Sequence, residues 1–321
     1  MPIRSRIVML GTKDFALPTF LELCDKGAPV VALITQPDRP QGRKQELIPS
    51  RIKVAAQERG IPVFQPEDVN AAEALEVVRS YAPDLIITAA YGQILSAELL
   101  GIPPLGGINL HGSILPKYRG ASPVARAIQK GDAETGVTVI RMTPRIDAGG
   151  MISVAKTPIG PDETAGELEE RLAVLGAPLI VRAVEAIEDG TAELLPQAKA
   201  KVTRAPKLTK EEGAIDWTKS AQAVHDHVRA MQPWPMAYTF WKRPLSADPE
   251  PMRLIIHKTE VVEGEGAPGL VLEAIKDRLV VAAGGGGSVR ILSLQVPGKK
   301  VFTTAEFLRG HRILDGETLG L

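Results

Sequence analysis

Cysteine is almost absent from this chain, which argues against disulfide bonds and against zinc sites built from cysteine. The 321 residues contain one cysteine, Cys24, which has no second cysteine in the chain for a disulfide. No cysteine or histidine pair has the spacing of zinc ligands. The composition therefore predicts a protein of a reducing compartment, with no structural zinc and no metal at its site.

Long apolar runs are missing as well. Uninterrupted runs such as Leu85 to Ile87 fall far short of the roughly 18 residues that a membrane-spanning helix needs. Arg4 and Arg6 precede only the short apolar stretch Ile7–Leu10, which is shorter than a secretory core. We therefore expect a mature cytoplasmic chain with no membrane partner.

Neither sign of charge dominates, and aromatic side chains are scarce. Lys and Arg number 38 against 38 Asp and Glu, and aromatic residues make up 4%. Non-specific polyanion binders normally carry a basic surplus, and single-strand binders stack bases on aromatic side chains. An RNA partner must therefore be met by local basic patches. A non-catalytic RNA-binding protein is disfavoured but stays open as an alternative.

What is present over residues 1–190 is one repeated theme, a short apolar run followed by a turn and a helical stretch. Unbroken apolar runs are typical of strands buried on both faces of a parallel sheet. The pattern predicts an α/β domain with a Rossmann-like, doubly wound sheet. The candidate strands are Ile7–Leu10, Val30–Thr35, Val63–Phe64, Leu85–Thr88, Ile108–His111 and Val137–Met142.

Two helices are marked clearly enough to be placed. The stretch Ala71–Ser80 has an apolar face, and a longer helix is expected from Thr164, which forms a possible capping box with Glu167, to Gly190. Pro178 is expected to break this longer helix into two pieces, because proline lacks the N–H of the helical hydrogen bond.

The composition and the hydrophobic pattern of the sequence change after residue 190. Residues 191–210 are basic, with no acidic residue between Glu193 and Glu211, and are predicted to be a linker. Residues 211–321 combine a helical stretch, Ala221–Met231, with short alternating runs separated by glycine-rich turns, which favours a small β-barrel of the oligonucleotide-binding (OB-like) type. Its candidate strands are Leu254–His257, Leu270–Ala274, Leu279–Ala283 and Val289–Leu294.

Three polar residues are the candidate catalytic group. Asn109 and His111 alternate at the end of a predicted strand, so both side chains point to one side at the edge where α/β sheets bind ligands. From this pair alone, a structural role in fastening the next loop is the simpler interpretation. Asp147 follows the next predicted strand, and its loop can open onto the same edge, where the carboxylate could hold His111 protonated and oriented. Asp before glycine is also a common turn residue.

Distinctive motifs are spread over nearly the whole chain. The central motif is Asn109-x-His111-Gly112-Ser113-x-Leu115-Pro116, followed by Tyr118-Arg119-Gly120, with Asp147 downstream. The others are Thr35-Gln36-Pro37-Asp38-Arg39-Pro40 with Gly42-Arg43, Ala90-Tyr91-Gly92, residues 131–137, Ile215-Asp216-Trp217, Pro233-Trp234-Pro235 and Pro297-Gly298-Lys299-Lys300. Together these motifs resemble the 10-formyltetrahydrofolate-dependent formyltransferases, and among them those that act on methionyl-tRNA.

This resemblance implies a reaction and a set of roles. It implies formyl transfer from 10-formyltetrahydrofolate to the methionine of initiator methionyl-tRNA, with no metal, in a protein that we expect to be a monomer. Asn109, His111 and Asp147 would be catalytic. The residues implied for the folate site are Ser113, Ile114, Leu115 and Pro116, with Tyr91 and Gly92 on the opposite wall. The residues expected against tRNA are Arg39, Arg43, Lys44, Lys207, Lys299 and Lys300, with Lys242 and Arg243 as further basic candidates.

Two positions depart from the family pattern, and other acceptors stay open. Ile114 stands where leucine is usual, a swap that conserves volume. Glu46 stands where the tRNA loop is usually basic, which leaves more of the phosphate contact to Arg39, Arg43 and Lys44. A formyltransferase that acts on glycinamide ribonucleotide or on an amino-sugar nucleotide would share the same catalytic residues.

Overall fold

The structure, a computed structural model, describes residues 3–41, 46–243 and 250–320 and divides into two compact units. No helix of these ranges is long and apolar enough to cross a membrane. The first unit holds the residues up to Pro123, Glu134–Pro158 and Glu169–Pro206. The second holds Val124–Ala133, Ile159–Leu168 and the chain from Lys207 onward.

The first unit is built on a twisted sheet, and the predicted α/β fold is confirmed. Among the described residues, seven strands pair in the order β5-β2-β1-β6-β7-β8-β9, and a separate pair joins β3 to β4. The pairs from β5 to β7 are parallel, as predicted, whereas β7–β8 and β8–β9 are antiparallel. The strands are β1 (Ile7–Gly11), β2 (Val30–Ile34), β3 (Pro40–Gln41), β4 (Glu46–Leu47), β5 (Val63–Phe64), β6 (Leu85–Ala89), β7 (Gly107–His111), β8 (Glu134–Arg141) and β9 (Met151–Pro158).

Apolar strands and amphipathic helices build the core of this unit. Every residue of β1 and β6 is buried, as expected for strands covered on both faces. In α3, Leu75 and Val78 pack into the hydrophobic cluster on one side of the sheet. The helices that precede β7 are α1 (Leu17–Asp25), α2 (Arg51–Glu58), α3 (Ala72–Ser80) and α4 (Ala97–Leu100), and α6 (Ala165–Glu188), most of which lies in this unit, follows it; α5 (Pro123–Gln129) also follows β7, but all of it except Pro123 belongs to the second unit.

The expected break in the long helix is wrong. Helix α6 runs unbroken through Pro178. The predicted capping box at its start is present, with Thr164 and Glu167 each accepting the other's backbone N–H. Proline at this position removes the hydrogen bond to the carbonyl of Val174. Val174 is 65% exposed, so water can reach this turn of the helix and replace the missing donor.

The second unit contains an antiparallel sheet whose two edges are joined. Strands pair in the order β10-β11-β14-β13-β12, with β15 on β14. Near the C-terminus, Leu319 pairs with Trp241 of β10 and Thr318 pairs with Leu270 beside β12. This connection closes the sheet into the small barrel expected from the sequence. The elements are α7 (Ala221–Ala230), β10 (Ala237–Trp241), β11 (Met252–Val262), β12 (Val271–Ile275), β13 (Arg278–Ala283), β14 (Gly287–Gln295), β15 (Val301–Thr303) and α8 (Thr304–Gly310).

Part of the segment predicted as a linker is hydrogen-bonded within the first unit. Leu195 exchanges two backbone hydrogen bonds with Met151 at the start of β9, and residues 203–205 pair with Arg119. The predicted boundaries at residues 190 and 210 stay a prediction, but this stretch runs beside the start of β9 and the loop that follows β7.

The barrel closure can be tested at Leu319, whose side chain is 1% exposed. We expect Leu319→Ala to lower the free energy of unfolding by about 2–5 kcal/mol, because it removes packing where the two sheet edges join. Tryptophan fluorescence during urea denaturation measures this directly, since all three tryptophans lie in the second unit. Leu314→Ala is the control: Leu314 is 41% exposed, and its loss should change stability by at most about 0.5 kcal/mol. Equal losses in the two variants would contradict the closure.

Candidate active site

Strand β7 carries the first two candidate residues on one face. Asn109 and His111 are two residues apart, and side chains of a strand alternate between faces. The hydroxyl of Thr88, on the neighbouring strand β6, donates to Oδ1 of Asn109 at 2.7 Å. This contact fixes the orientation of the amide and leaves its NH₂ group to donate elsewhere.

His111 is 5% exposed, and both of its ring nitrogens face oxygen acceptors. Nε2 lies 2.9 Å from the carbonyl oxygen of Tyr118, to which it can only donate. Nδ1 lies 3.5 Å from Oδ2 of Asp147. The backbone contact therefore occupies Nε2, and Nδ1 is the nitrogen that shares a site with the carboxylate.

Asp147 reaches His111 by a path that the sequence did not indicate. Because β8 runs antiparallel to β7, with Arg141 opposite Ile108, the loop after β8 leaves from the end of β7 away from His111. The loop runs back along the sheet, and Asp147 adopts a left-handed conformation, φ +48°. Its Oδ2 accepts the backbone N–H of Gly120 at 2.8 Å. Oδ1 has no hydrogen-bond partner within the described part of the chain, and the side chain is 14% exposed.

The loop after β7 is fastened by Thr138 on β8. The Thr138 hydroxyl donates to the carbonyl of Ser113 at 2.7 Å and accepts the N–H of Leu115 at 3.1 Å. Ser113 in turn donates its hydroxyl to the carbonyl of Lys117 at 2.7 Å. These bonds satisfy backbone groups that burial would otherwise leave unpaired, and they hold the loop against the sheet.

The residues implied for the folate site are present near β7, but not all of them offer side chains to a ligand. Ser113 and Leu115 are buried, whereas Ile114 and Pro116 are half-buried. The Tyr91 ring packs within the hydrophobic cluster of the core, and burial raises the pKa of its hydroxyl, which has no hydrogen-bond partner among the residues that the structure describes. On that wall, Gly92 is exposed, with φ +101°. Backbone at Gly92 and the side chains of Ile114 and Pro116 are therefore what this region can offer to a flat ligand.

The expected tRNA-binding residues differ in what they contact. Arg39 pairs with Glu67 at 2.9 Å, and Lys300 pairs with Glu306 at 3.2 Å. Hydrogen bonds from Thr303 and then Lys300 lower the pKa of Glu306 to about 2, so this pair is charged at neutral pH. Lys207 and Lys299 are exposed. Glu46 is exposed on β4, while Arg43 and Lys44 lie outside the described residues.

Several residues that shape the site were not singled out from the sequence. A hydroxyl at the carboxyl end of a buried strand, as at Thr88, is a signal that could have been used, because a buried hydroxyl needs a partner. Thr138 gives the same signal. Gln197 gives no such signal in the sequence, because it lies in a stretch that looks like a linker. In the structure, its amide contacts the Asp147 loop.

Comparisons with known proteins decide the family. A family model described as formyl transferase matches residues 5–184, and one described as formyl transferase, C-terminal domain, matches residues 207–312. The chain belongs to the formyl transferase family. It is 43% identical over 315 residues to a methionyl-tRNA formyltransferase of Geotalea uraniireducens, with 98% of each chain covered. It is 40% identical over 318 residues to the methionyl-tRNA formyltransferase of Geobacillus thermodenitrificans, again with 98% of each covered.

Solved structures share the fold of this formyl transferase at lower identity. WlaRD, a sugar 3N-formyl transferase crystallised with dTDP and 5-N-formyl-THF, superposes with a TM-score of 0.66 at 17% identity, covering 92% of this chain and 99% of its own. HypX of Aquifex aeolicus in complex with tetrahydrofolic acid gives a TM-score of 0.62 at 20% identity, covering 98% of this chain and 50% of its own. Within the described ranges, no three His, Cys, Asp or Glu side chains are grouped as a metal site.

The contact between Thr88 and Asn109 gives a prediction for any reaction at this site. We expect Thr88→Val to lower kcat/KM about tenfold, because the amide loses the bond that orients it, and one lost orienting bond is worth about 1–3 kcal/mol. Thr239→Val is the matched control, because Thr239 is also buried and bonds Trp217 in the second unit. Formyl transfer measured at substrate concentrations well below KM is the readout; equal values of kcat/KM for Thr88→Val and wild type would show that Asn109 is not held by this hydroxyl.

Proposed function

We propose that this chain transfers the formyl group of 10-formyltetrahydrofolate to the amino group of methionine on initiator methionyl-tRNA, giving N-formylmethionyl-tRNA. The observation that carries the proposal is the identity of about 40% or more to enzymes of that name over both units of the chain. The Asn109, His111 and Asp147 arrangement supports the same chemistry, because acyl transfer needs a hydrogen-bond donor for an oxyanion and an acceptor for a proton.

The reaction joins two chemical events. The amine nitrogen attacks the formyl carbon, forming a C–N bond and a tetrahedral intermediate that carries an oxyanion. The bond between the formyl carbon and N10 of the folate then breaks, so N10 gains a proton and the amine loses one. The catalytic groups must therefore stabilise the oxyanion and move a proton.

Asn109 is suited to the first task. With Oδ1 held by Thr88 at 2.7 Å, its NH₂ group is free to donate to the oxyanion. Such a fixed donor is commonly worth about 3–4 kcal/mol in the transition state. His111 supplies a second donor at Nδ1 when protonated, because Nε2 is already bonded to the carbonyl of Tyr118.

Asp147 is suited to the second task. Oδ2 is occupied by the N–H of Gly120 and faces His111, whereas Oδ1 has no partner within the described residues. Oδ1 can therefore hold a water that accepts the amine proton. This division of roles, with His111 as donor and the carboxylate as the path of the proton, is the one that the hydrogen bonds favour.

The remaining roles are part of the same proposal. The folate would lie beside the loop of residues 113–116 and Gly92, and the acceptor stem would meet Arg39, Arg43 and Lys44, with Lys207, Lys299 and Lys300 contacting phosphates farther along the tRNA. Because the chain is neutral overall, affinity for tRNA rests on these local charges and should fall with salt. We propose a cytoplasmic monomer whose catalytic residues lie within residues 1–190 and whose C-terminal domain, residues 211–321, binds tRNA through Lys299 and Lys300.

A comparison of acceptors tests the function. The purified protein is incubated with 10-formyltetrahydrofolate and, separately, methionylated initiator tRNA, glycinamide ribonucleotide or an amino-sugar nucleotide. We expect formylmethionine after mild hydrolysis of the tRNA product and no formylated small acceptor. Formylation of the sugar nucleotide alone would overturn the assignment and would favour the activity of WlaRD, a sugar 3N-formyl transferase.

The rate should rise with pH. Only the unprotonated amine has the lone pair that attacks the formyl carbon, so the single-turnover rate should increase as the methionyl amine loses its proton and level off once the free amine dominates. Rapid-quench measurements from acid to alkaline pH give this profile. A flat profile over the same range would contradict direct attack by the amine.

The loop around Arg43 should serve tRNA and not folate. We expect Arg43→Ala to raise the KM for methionyl-tRNA several-fold, because a phosphate contact is lost, and to reduce the dependence of tRNA affinity on salt by about one charge. Folate affinity, measured by equilibrium binding, should stay within twofold of wild type. A fall in folate affinity with unchanged tRNA affinity would show that the loop serves folate and would contradict this prediction.

A further inference from the structure

The segment predicted as a linker carries an amide that contacts the candidate catalytic loop. Leu195 is fixed by two backbone hydrogen bonds to Met151, of 2.8 and 2.9 Å, and Thr203 accepts the backbone N–H of Arg119 at 2.9 Å. Gln197 lies between these two anchors. Its backbone is therefore held on both sides, beside the loop of residues 143–150 that contains Asp147.

The side-chain amide of Gln197 uses its full hydrogen-bonding capacity. Nε2 donates to the carbonyl of Asp147 and to the carbonyl of Gly149, each at 2.8 Å. Oε1 accepts Nε and Nη2 of Arg119 at 3.0 and 2.7 Å. An amide offers two donors and two acceptor sites. Only glutamine has both at this reach, since glutamate cannot donate to the two carbonyls.

Arg119 and Asp147 lie on the two loops that meet at the carboxylate. Gly120, next to Arg119, donates its N–H to Oδ2 of Asp147. Asp147 itself stands at φ +48°, a region that non-glycine residues occupy only when their surroundings hold them there. The Gln197 amide joins the same two loops from the other side, so that each loop is fixed relative to the other.

We infer that Gln197 is a positioning residue, whose amide fastens the Asp147 loop to Arg119 and thereby holds the Asp147 carboxylate between Gly120 and His111. This inference rests on the proposed function, because it assigns Gln197 a part in that reaction. Gln197 acts through Asp147, because the hydrogen bonds of its amide go to Arg119 and to the loop that contains Asp147.

Replacing the amide by a carboxylate isolates this role. Gln197→Glu keeps the size of the side chain and its pairing with Arg119, but sets an acceptor against two carbonyl oxygens. We expect kcat to fall 10- to 100-fold, while the KM for each substrate stays within twofold. Gln197→Met, which removes the repulsion as well as the bonds, is measured in its place if Gln197→Glu does not fold.

A matched control separates positioning from general stability. Gln232 also donates Nε2 to two carbonyls, those of Val228 and His257, at 3.1 and 2.7 Å in the second unit. Gln232→Glu should therefore retain the wild-type kcat. An equal loss of kcat in both variants, or a change confined to KM in Gln197→Glu, would overturn the inference.

A double-mutant cycle tests whether Gln197 acts through Asp147. In an Asp147→Asn background, Gln197→Glu should change the single-turnover rate by less than twofold, because the group that it positions is already lost. A full 10- to 100-fold further loss would overturn the inference.

A spectroscopic readout keeps this test distinct from the proposed function. In protein labelled with ¹³C-carbonyl arginine and ¹⁵N-glycine, the Gly120 amide proton reports the bond to the carboxylate; of the three Arg–Gly pairs in the sequence, those of Gly60 and Gly310 are identified by the loss of their cross peaks in Arg59→Lys and Arg309→Lys. We expect it to move toward the Asp147→Asn position in Gln197→Glu; an unmoved resonance would overturn the inference. If the wild-type protein does not formylate methionyl-tRNA, the proposed function fails while this resonance still tests the positioning.

Discussion

One carboxylate oxygen links the parts of the site that are distant in sequence. Oδ2 of Asp147 accepts the N–H of Gly120 and faces Nδ1 of His111, so a single acceptor joins the end of β7, the loop after it and the loop after β8. Glycine is required at position 120. Its φ is +125°, and a Cβ there would lie 2.5 Å from the carbonyl oxygen of Ala205, too close for any side chain without a shift of backbone.

Around this carboxylate, further hydrogen bonds hold the other groups of the site in place. Thr88 orients Asn109, the carbonyl of Tyr118 occupies one nitrogen of His111, and Thr138 fastens the loop between them. Each bond removes a freedom that the reacting groups would otherwise have to lose in the transition state. Two groups have no hydrogen-bond partner among the described residues, the NH₂ group of Asn109 and Oδ1 of Asp147, and these are where the proposed reaction needs a donor and an acceptor.

The sequence was most informative where a periodic pattern had to be buried. Apolar runs located β1, β6 and β7 to within a residue, and strand alternation put Asn109 and His111 on one face. Asp147 was selected correctly as a neighbour of His111, but its path was not, because the antiparallel direction of β8 depends on tertiary pairing that a local pattern does not encode. The prediction that Pro178 breaks the long helix was wrong, because it used only the local rule for proline. The exposure of Val174, which depends on the fold, lets the helix keep this proline. The contacts of Gln197 depend on the folded path of an irregular segment and leave no periodic signal.

The proposed mechanism depends on the carboxylate of Asp147, and the rate of the chemical step in an Asp147→Asn variant tests it most directly. Asparagine keeps the size of the side chain and can still accept the N–H of Gly120, but it carries no charge toward His111 and cannot take a proton from the amine. In single-turnover reactions with 10-formyltetrahydrofolate and methionylated initiator tRNA, the account predicts a loss of at least about 100-fold in the rate of formyl transfer, with the Kd of both substrates within twofold of wild type. A wild-type rate in this variant would contradict it.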